Sequence, residues 1–417
     1  MSTLPPDLHW VFNQKTVRDI SLSREMFPVA VSRISRKFHN QIPGYRMSPL
    51  RSLTYLAEML GVGGIWVKDE AVRLELNSFK VLGGSFAIYR LLQEKLGLQD
   101  AAMSYEYLTS PEVKEKLGNI TFASATDGNH GRGVAWAASK LGHTSVIYVH
   151  SQTSKPRIEA IRNYGARVEV IPGTYDDAVR QCARDAAVNG WEVISDTSWE
   201  GYETVPIWIM QGYTTMFSEI QEQYAAQGII KPTHIFIQAG VGALAASIVG
   251  FYHSLFGEEA PVCVVVEPAA AACLYHSATI GDGLAHTVTG DLDTIMAGLA
   301  CGEPSPIAWE ILKECAACFL TCPDYVAAKG MRIYATPLAG DPFIVSGESG
   351  AVTLGALASI MKGWTNEPLR KALGLDAGSQ ILLVNTEGNT DPLHFRQVIW
   401  EGADPVPKEY WTDDSGL

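Results

Sequence analysis

Between Asn119 and Ser195 the chain alternates two kinds of pattern, and that alternation leaves few folds open. Apolar runs at 120–125, 144–149, 167–171 and 192–195 are separated by helical patterns at 132–140, 157–164 and 177–188. Each helical pattern stops at a glycine (Gly142, Gly165, Gly190), where a left-handed cap suits a residue without a Cβ. The third opens on Asp176-Asp177, acceptors suited to the free N–H groups of a first turn. Strands joined by helices rather than tight turns pair in parallel, with right-handed crossovers. Residues 87–205 are therefore expected to form a small α/β domain.

A second set of apolar runs is more widely spaced: Ile65-Trp66-Val67, then 234–238, 262–267 and 381–385. These lie on both sides of the first unit, so a larger domain is expected from two parts, 1–86 and 206–417. The fold class expected is α/β, two domains each with a mainly parallel twisted sheet flanked by helices. Helices are also expected at 21–38, 48–60 and 103–118. The chain, at 417 residues, is long enough for two such cores.

Composition narrows the partners. A net charge of -13 offers no basic surface to phosphate backbones, so nucleic acid is not expected. The N-terminus has no basic segment ahead of an apolar core, so no secretory leader is expected. The nearly uncharged stretch 234–250 is interrupted by Gln238, Gly240 and Gly242. It reads as strand, turn and helix rather than a membrane span. Seven cysteines do not make a disulfide scaffold in a chain of this length. Cys315, Cys318 and Cys322 have ligand-like spacing, but nothing nearby completes a four-ligand set, and no metal is expected. A reducing, cytoplasmic setting follows as the default.

Five segments carry candidate chemistry. Lys80 stands between Phe79 and the pair Gly83-Gly84, just before a helical pattern. A partly desolvated lysine there is a nucleophile towards carbonyls, and pyridoxal phosphate is the cofactor that uses one; a loop-capping lysine is the alternative. The turn Ser124 to Gly131 carries Asn129, which offers donor and acceptor together. His130 in it is expected to be packed or hydrogen-bonded rather than a base. The turn Gly240-Val241-Gly242-Ala243-Leu244 exposes backbone N–H groups at a helix start, which suits a phosphate monoester. It lacks the lysine of a nucleotide-binding loop and the third glycine of a dinucleotide fingerprint; packing alone is the alternative. The loop 385–391 can contact a ring nitrogen or a substrate, or only turn the chain. Asp196, followed by Trp199, Tyr202 and Trp208, is placed to line a pocket wall.

Seven stretches occur in order: L-N-S-F-K-V-L-G-G-S, T-D-G-N-H-G-R-G-V-A-W-A-A, D-T-S-W-E-G-Y, W-I-M-Q-G-Y, I-M-A-G-L-A-C-G-E-P, S-G-E-S-G-A-V and T-E-G-N-T-D. From Lys68 onward the chain resembles the fold-type-II pyridoxal-phosphate enzymes, the tryptophan synthase β and threonine dehydratase group. The resemblance is strongest to the members that release ammonia from 2,3-diaminopropionate. It implies pyridoxal 5'-phosphate in an interdomain cleft, held by Lys80 as a Schiff base. Asn129 would meet its 3-oxygen, residues 240–244 its phosphate, and Thr386 its pyridine nitrogen, with Glu348 nearby. Asp127 and Asp196 match the two acidic active-site residues.

The resemblance further implies α,β-elimination to pyruvate and ammonia, with Lys80 taking the Cα proton of an L substrate and Asp127 that of a D substrate. A homodimer is expected by analogy. Dehydratases carry serine where Asp127 stands, and their substrates bear a neutral β-hydroxyl. A β-ammonium needs carboxylate partners, which two aspartates supply. β-Elimination or replacement on serine, threonine or an O-activated serine stays open, because Asn385 and Asn389 depart from the family's S-T-E-G-D-T-D. So does pairing of Cys273 with Cys301.

Overall fold

The computed structural model describes residues 7–15, 18–98, 103–362 and 366–411. Two sheets organise it. The smaller has four parallel strands in the order β6-β5-β4-β7: β4 Thr121–Thr126, β5 Thr144–His150, β6 Arg167–Ile171 and β7 Glu192–Val193. Gly142, Gly165 and Gly190 all have positive φ at the ends of the crossover helices. The cap that opens helix Tyr175–Asn189 is Thr174 rather than Asp176. Its hydroxyl accepts from the Asp177 N–H while the Asp177 carboxylate reaches back to the Thr174 N–H.

The larger sheet has seven strands in the order β1-β10-β9-β8-β11-β3-β2. They are β1 His9–Phe12, β2 Leu50–Ser52, β3 Gly64–Asp69, β8 His234–Gln238, β9 Val262–Pro268, β10 Cys318–Cys322 and β11 Gln380–Asn385. The five central strands run parallel and the two edges, β1 and β2, antiparallel. β8 and β10 are buried at every position, the state that continuous apolar runs in parallel sheets reach. Cys318 and Cys322 are therefore strand residues packed in the core.

Several local expectations are corrected. The region 48–60 is not one helix. Pro49 keeps its predecessor out of the helical region, Leu50–Ser52 pairs with β3, and the helix runs Thr54–Leu60. The region 21–38 is broken at Pro28 into helices Ser21–Met26 and Val29–His39. The region 103–118 holds two short helices, Tyr105–Leu108 and Pro111–Leu117. The stretch 234–250 is β8 and most of helix Ala243–Phe256, and no helix among the described residues is long and apolar enough to cross a membrane.

One apolar core runs beneath both sheets. The division expected at residue 86 falls inside helix Lys80–Lys95, so a continuous helix, not a linker, joins the two layers. It packs closely on helices Asn129–Lys140 and Thr204–Ala226 because glycines stand at the crossings. A Cβ on Gly133 would lie 2.9 Å from Val81 Cα, and one on Gly212 would lie 2.5 Å from the Leu82 carbonyl oxygen. Helix Lys80–Lys95 is thereby fixed against both halves, and its first residue is the candidate nucleophile.

Candidate active site

The segment that delivers Lys80 is held in an uncommon conformation. Leu74, Glu75 and Asn77 all have positive φ, between 48° and 61°, a region costly to residues with a Cβ. What holds them is a fully buried guanidinium: Arg73 donates to Glu70 and to both Glu219 oxygens, at 2.7–2.9 Å. Beyond it the segment is tied to the loop after β11. Phe79 N–H donates to the Thr386 carbonyl at 3.2 Å and Gly388 N–H to the Asn77 carbonyl at 3.0 Å.

Strand ends then bring the candidates together. Lys80, Asp127, Asn129, Asp196, Gly240 to Leu244 and Thr386 line one cleft, at the carboxyl ends of β3, β4, β7, β8 and β11, where open α/β sheets present their chemistry. The cleft encloses about 630 Å³, counting solvent at its mouth.

The Lys80 ammonium meets the Asp196 carboxylate directly. Tyr175 donates its hydroxyl to Asp196 Oδ1 at 2.9 Å. Burial opposes charge on both groups. On Lys80 it is outweighed by Asp196, then Tyr213 and Asp127, and the pKa is raised. On Asp196 it is outweighed chiefly by Lys80, then His130, and the carboxyl sits below its usual range. His130 is 1% exposed and hydrogen-bonds the Ile194 carbonyl through Nε2 at 2.9 Å. Burial lowers its pKa. That leaves a neutral imidazole packed behind Asp196.

Asp127 is placed differently. Its Oδ2 is buried without a hydrogen-bond partner, and Arg157 stands off at 3.9 Å. Asn129 donates to Glu387 Oε2 at 2.6 Å, and Glu387 Oε1 accepts from Ser349 N–H. Burial raises the Glu387 pKa, Arg157 opposing. Thr386 Oγ1 accepts from Gln238 Nε2 at 2.9 Å, so its own proton is free to be donated. Glu348 is not among the lining residues: its carboxylate pairs with His394 and lies 4.0 Å from Arg157, and the glutamate on the cleft is Glu387. Tyr175, Gln238, Ser349 and Glu387 carried no assigned role in the sequence. Gln238 was signalled by a polar side chain ending an apolar strand, whereas Tyr175 gave no local sign.

The donor set suits a phosphorylated pyridine aldehyde. Gly242 has φ +100° and opens helix Ala243–Phe256, whose first N–H groups have no partner within the helix. A Cβ on Gly240 would lie 3.0 Å from Cys301 Sγ and 3.2 Å from Leu299 Cα, so a side chain there would crowd that wall. Gln238 Oε1, Ser349 Oγ and Asp127 Oδ2 are buried around the cleft with no partner, as in a site built for a polar guest. Cys273 and Cys301 are free thiols flanking Gly240.

The model of the family described as pyridoxal-phosphate dependent enzyme matches residues 42–387. A diaminopropionate ammonia-lyase of Escherichia coli (strain K12) is 46% identical over 381 residues, 91% of this chain and 94% of that relative. The crystal structure of diaminopropionate ammonia lyase from Escherichia coli in complex with D-serine aligns with a TM-score of 0.89 at 42% identity, covering 96% of this chain and 99% of that one. A structure of the same Escherichia coli enzyme in complex with an aminoacrylate-PLP azomethine reaction intermediate aligns with a TM-score of 0.86, also at 42% identity and with the same coverage.

Proposed function

From the premise that the chain belongs to the pyridoxal-phosphate dependent enzyme family, we propose that it eliminates ammonia from 2,3-diaminopropionate, D or L, giving pyruvate and ammonia. The observation that carries this is the pair of carboxylates, Asp127 and Asp196, on one cleft with Lys80. Pyridoxal 5'-phosphate, when bound, supplies an aldehyde for an amine and a ring that delocalises negative charge at Cα.

The residues that would hold it are Lys80 at the aldehyde, Asn129 at the 3-oxygen and the 240–244 backbone at the phosphate. Thr386, with its free hydroxyl proton, would face the ring nitrogen as a neutral donor. In the apoprotein Lys80 is an ammonium paired with Asp196. Once its amine is engaged, Asp196 loses that partner, and a substrate β-ammonium can take the vacated place beside it. The Cβ–N bond then breaks with its electron pair leaving on nitrogen, so the amine departs as ammonia. Before that bond breaks, Lys80, its amine freed when the substrate's α-amine takes its place at the aldehyde, would take the Cα proton of the L enantiomer, and Asp127, whose Oδ2 has no hydrogen-bond partner, that of the D enantiomer. The enamine released gains water, loses the second ammonia and becomes pyruvate. Serine in the same place would leave a carboxylate without its cation, which disfavours it.

A homodimer in a cytoplasmic setting belongs to this reading, the first by analogy with the family. Product counting tests the chemistry. Diaminopropionate is expected to give pyruvate with two ammonia; a single ammonia with an amino acid product and no pyruvate would point to β-replacement, and faster pyruvate release from serine to β-elimination on another substrate.

A further inference from the structure

Arg157 lies at the start of helix Lys155–Arg162, beside the cleft but not on its wall. Its side chain is 7% exposed, yet its guanidinium is poorly satisfied. Among the described residues its one hydrogen bond runs from Nη2 to Thr390 Oγ1 at 3.4 Å, and Nε has no partner. Buried guanidinium groups ordinarily use most of their five donors.

What Arg157 has instead is a ring of acids at slightly longer range. Nη1 is 3.9 Å from Asp127 Oδ2 and Nη2 is 4.0 Å from Glu348 Oε2. Burial works against its charge, and Glu387, Asp127, Glu348 and Asp391 more than restore it. Asp127 follows β4 of the small sheet. The other three acids and Thr390 flank β11 of the large one. His394 is engaged by Glu348, and His150 at the end of β5 is also within electrostatic range. The stem of Arg157 packs on Gly128, where a Cβ would come within 3.1 Å of it. Arg157 therefore packs on the backbone next to Asp127 and sets its guanidinium 3.9 Å from that carboxylate. Among the described residues it supplies the ion-pair contact of that carboxylate.

We propose that Arg157 is a positioning residue that ties Asp127 to Glu348 and Thr390 and keeps its carboxylate aimed, so that it serves turnover of the D enantiomer more than the L. This rests on the reading in which Asp127 takes the Cα proton of the D substrate. Without Arg157, Asp127, Glu387, Glu348 and Asp391 face one another with only His394, on Glu348, to offset their charge among the described residues, and such buried charge either takes up protons or moves apart. Lys80 keeps its own partner, Asp196, on the other wall.

The test uses the holoenzyme with Arg157→Met and Arg157→Lys, measuring kcat and KM for both enantiomers of 2,3-diaminopropionate between pH 6 and 9. Cofactor absorbance and thermal unfolding are followed alongside. Arg157→Met is expected to cut kcat/KM for D about tenfold more than for L, and to move the acid limb of the D profile up by about one pH unit. Arg157→Lys is expected to recover most of the difference. Equal losses for the two enantiomers, or an unmoved acid limb, would overturn the proposal. Should Arg157→Met fail to fold, Glu348→Gln with Thr390→Val removes the anchors instead, and the same D-selective loss is required. Asp127→Asn separates the two levels. If it spares D turnover, the underlying reading fails; if it abolishes D turnover while Arg157→Met lowers both alike, only this inference fails.

Discussion

The two aspartates on the cleft make opposite use of burial. Asp196 is saturated: Lys80 on one oxygen, Tyr175 on the other, and a neutral His130 behind. Asp127 sits in a turn beside Gly128 with one oxygen unengaged and its nearest cation at 3.9 Å. A carboxylate fixed by a short ion pair holds a lysine in place and keeps it charged. One left without hydrogen bonds is a ready proton acceptor, because no partner must be displaced before it acts. In the proposed reaction the same residue type would serve as anchor on one wall and as base on the other, with the neighbours deciding which.

That contrast can be broken at several points. Lys80→Ala removes the group both roles depend on, and turnover of both enantiomers should fall by roughly 10³-fold or more, together with the visible absorbance of the bound cofactor. Asp127→Asn should cost the D enantiomer about 10²-fold or more while the L enantiomer retains most of its rate; equal losses would mean that the two walls do not divide the work. Asp127→Ser, which restores the dehydratase residue, should raise turnover of serine relative to diaminopropionate, measured as the ratio of kcat/KM values.

Tyr175→Phe takes one hydrogen bond from Asp196 and leaves the ion pair. A loss of about 1–2 kcal/mol in the apoprotein is expected, read from chemical denaturation.

The smallest effect lies just behind the anchor. Burial, then Glu303, pushes the Asp176 carboxyl up to about 6, against the Gly302 N–H. Because the folded pKa lies above the unfolded one, ionising this group costs stability. The cost is absent below about 3.8, the ordinary value of the carboxyl, grows as pH rises, and is complete above about 6. Asp176→Asn should therefore raise Tm at pH 8 and leave it nearly unchanged at pH 4.

How far the sequence could show this depends on the range of the contacts. The small sheet was legible strand by strand, since each crossover helix ends in its own glycine. In the large sheet β3, β8, β9 and β11 were legible as apolar runs. β10 was obscured because its cysteines suggest ligands, and the edges β1 and β2 are too short to show a period. Within the site, Lys80, Asn129 and the 240–244 turn could be picked out because glycine placement is local. The partners that separate the two aspartates are not. Tyr175 lies 21 residues from Asp196 along the chain, and Glu387 lies 258 from Asn129. Only the fold brings them together. Glu348, named beside Thr386 from resemblance, turns instead towards His394 and Arg157.

The most direct measurement is the initial rate of 2-oxo acid release by the holoenzyme from D- and L-2,3-diaminopropionate (pyruvate), with serine (pyruvate) and threonine (2-oxobutyrate) under the same conditions. Rapid release from both diaminopropionate enantiomers and little from the hydroxy amino acids is the predicted result. Comparable or faster release from serine would contradict the role given to the two carboxylates, and no release from either enantiomer would contradict the reaction itself.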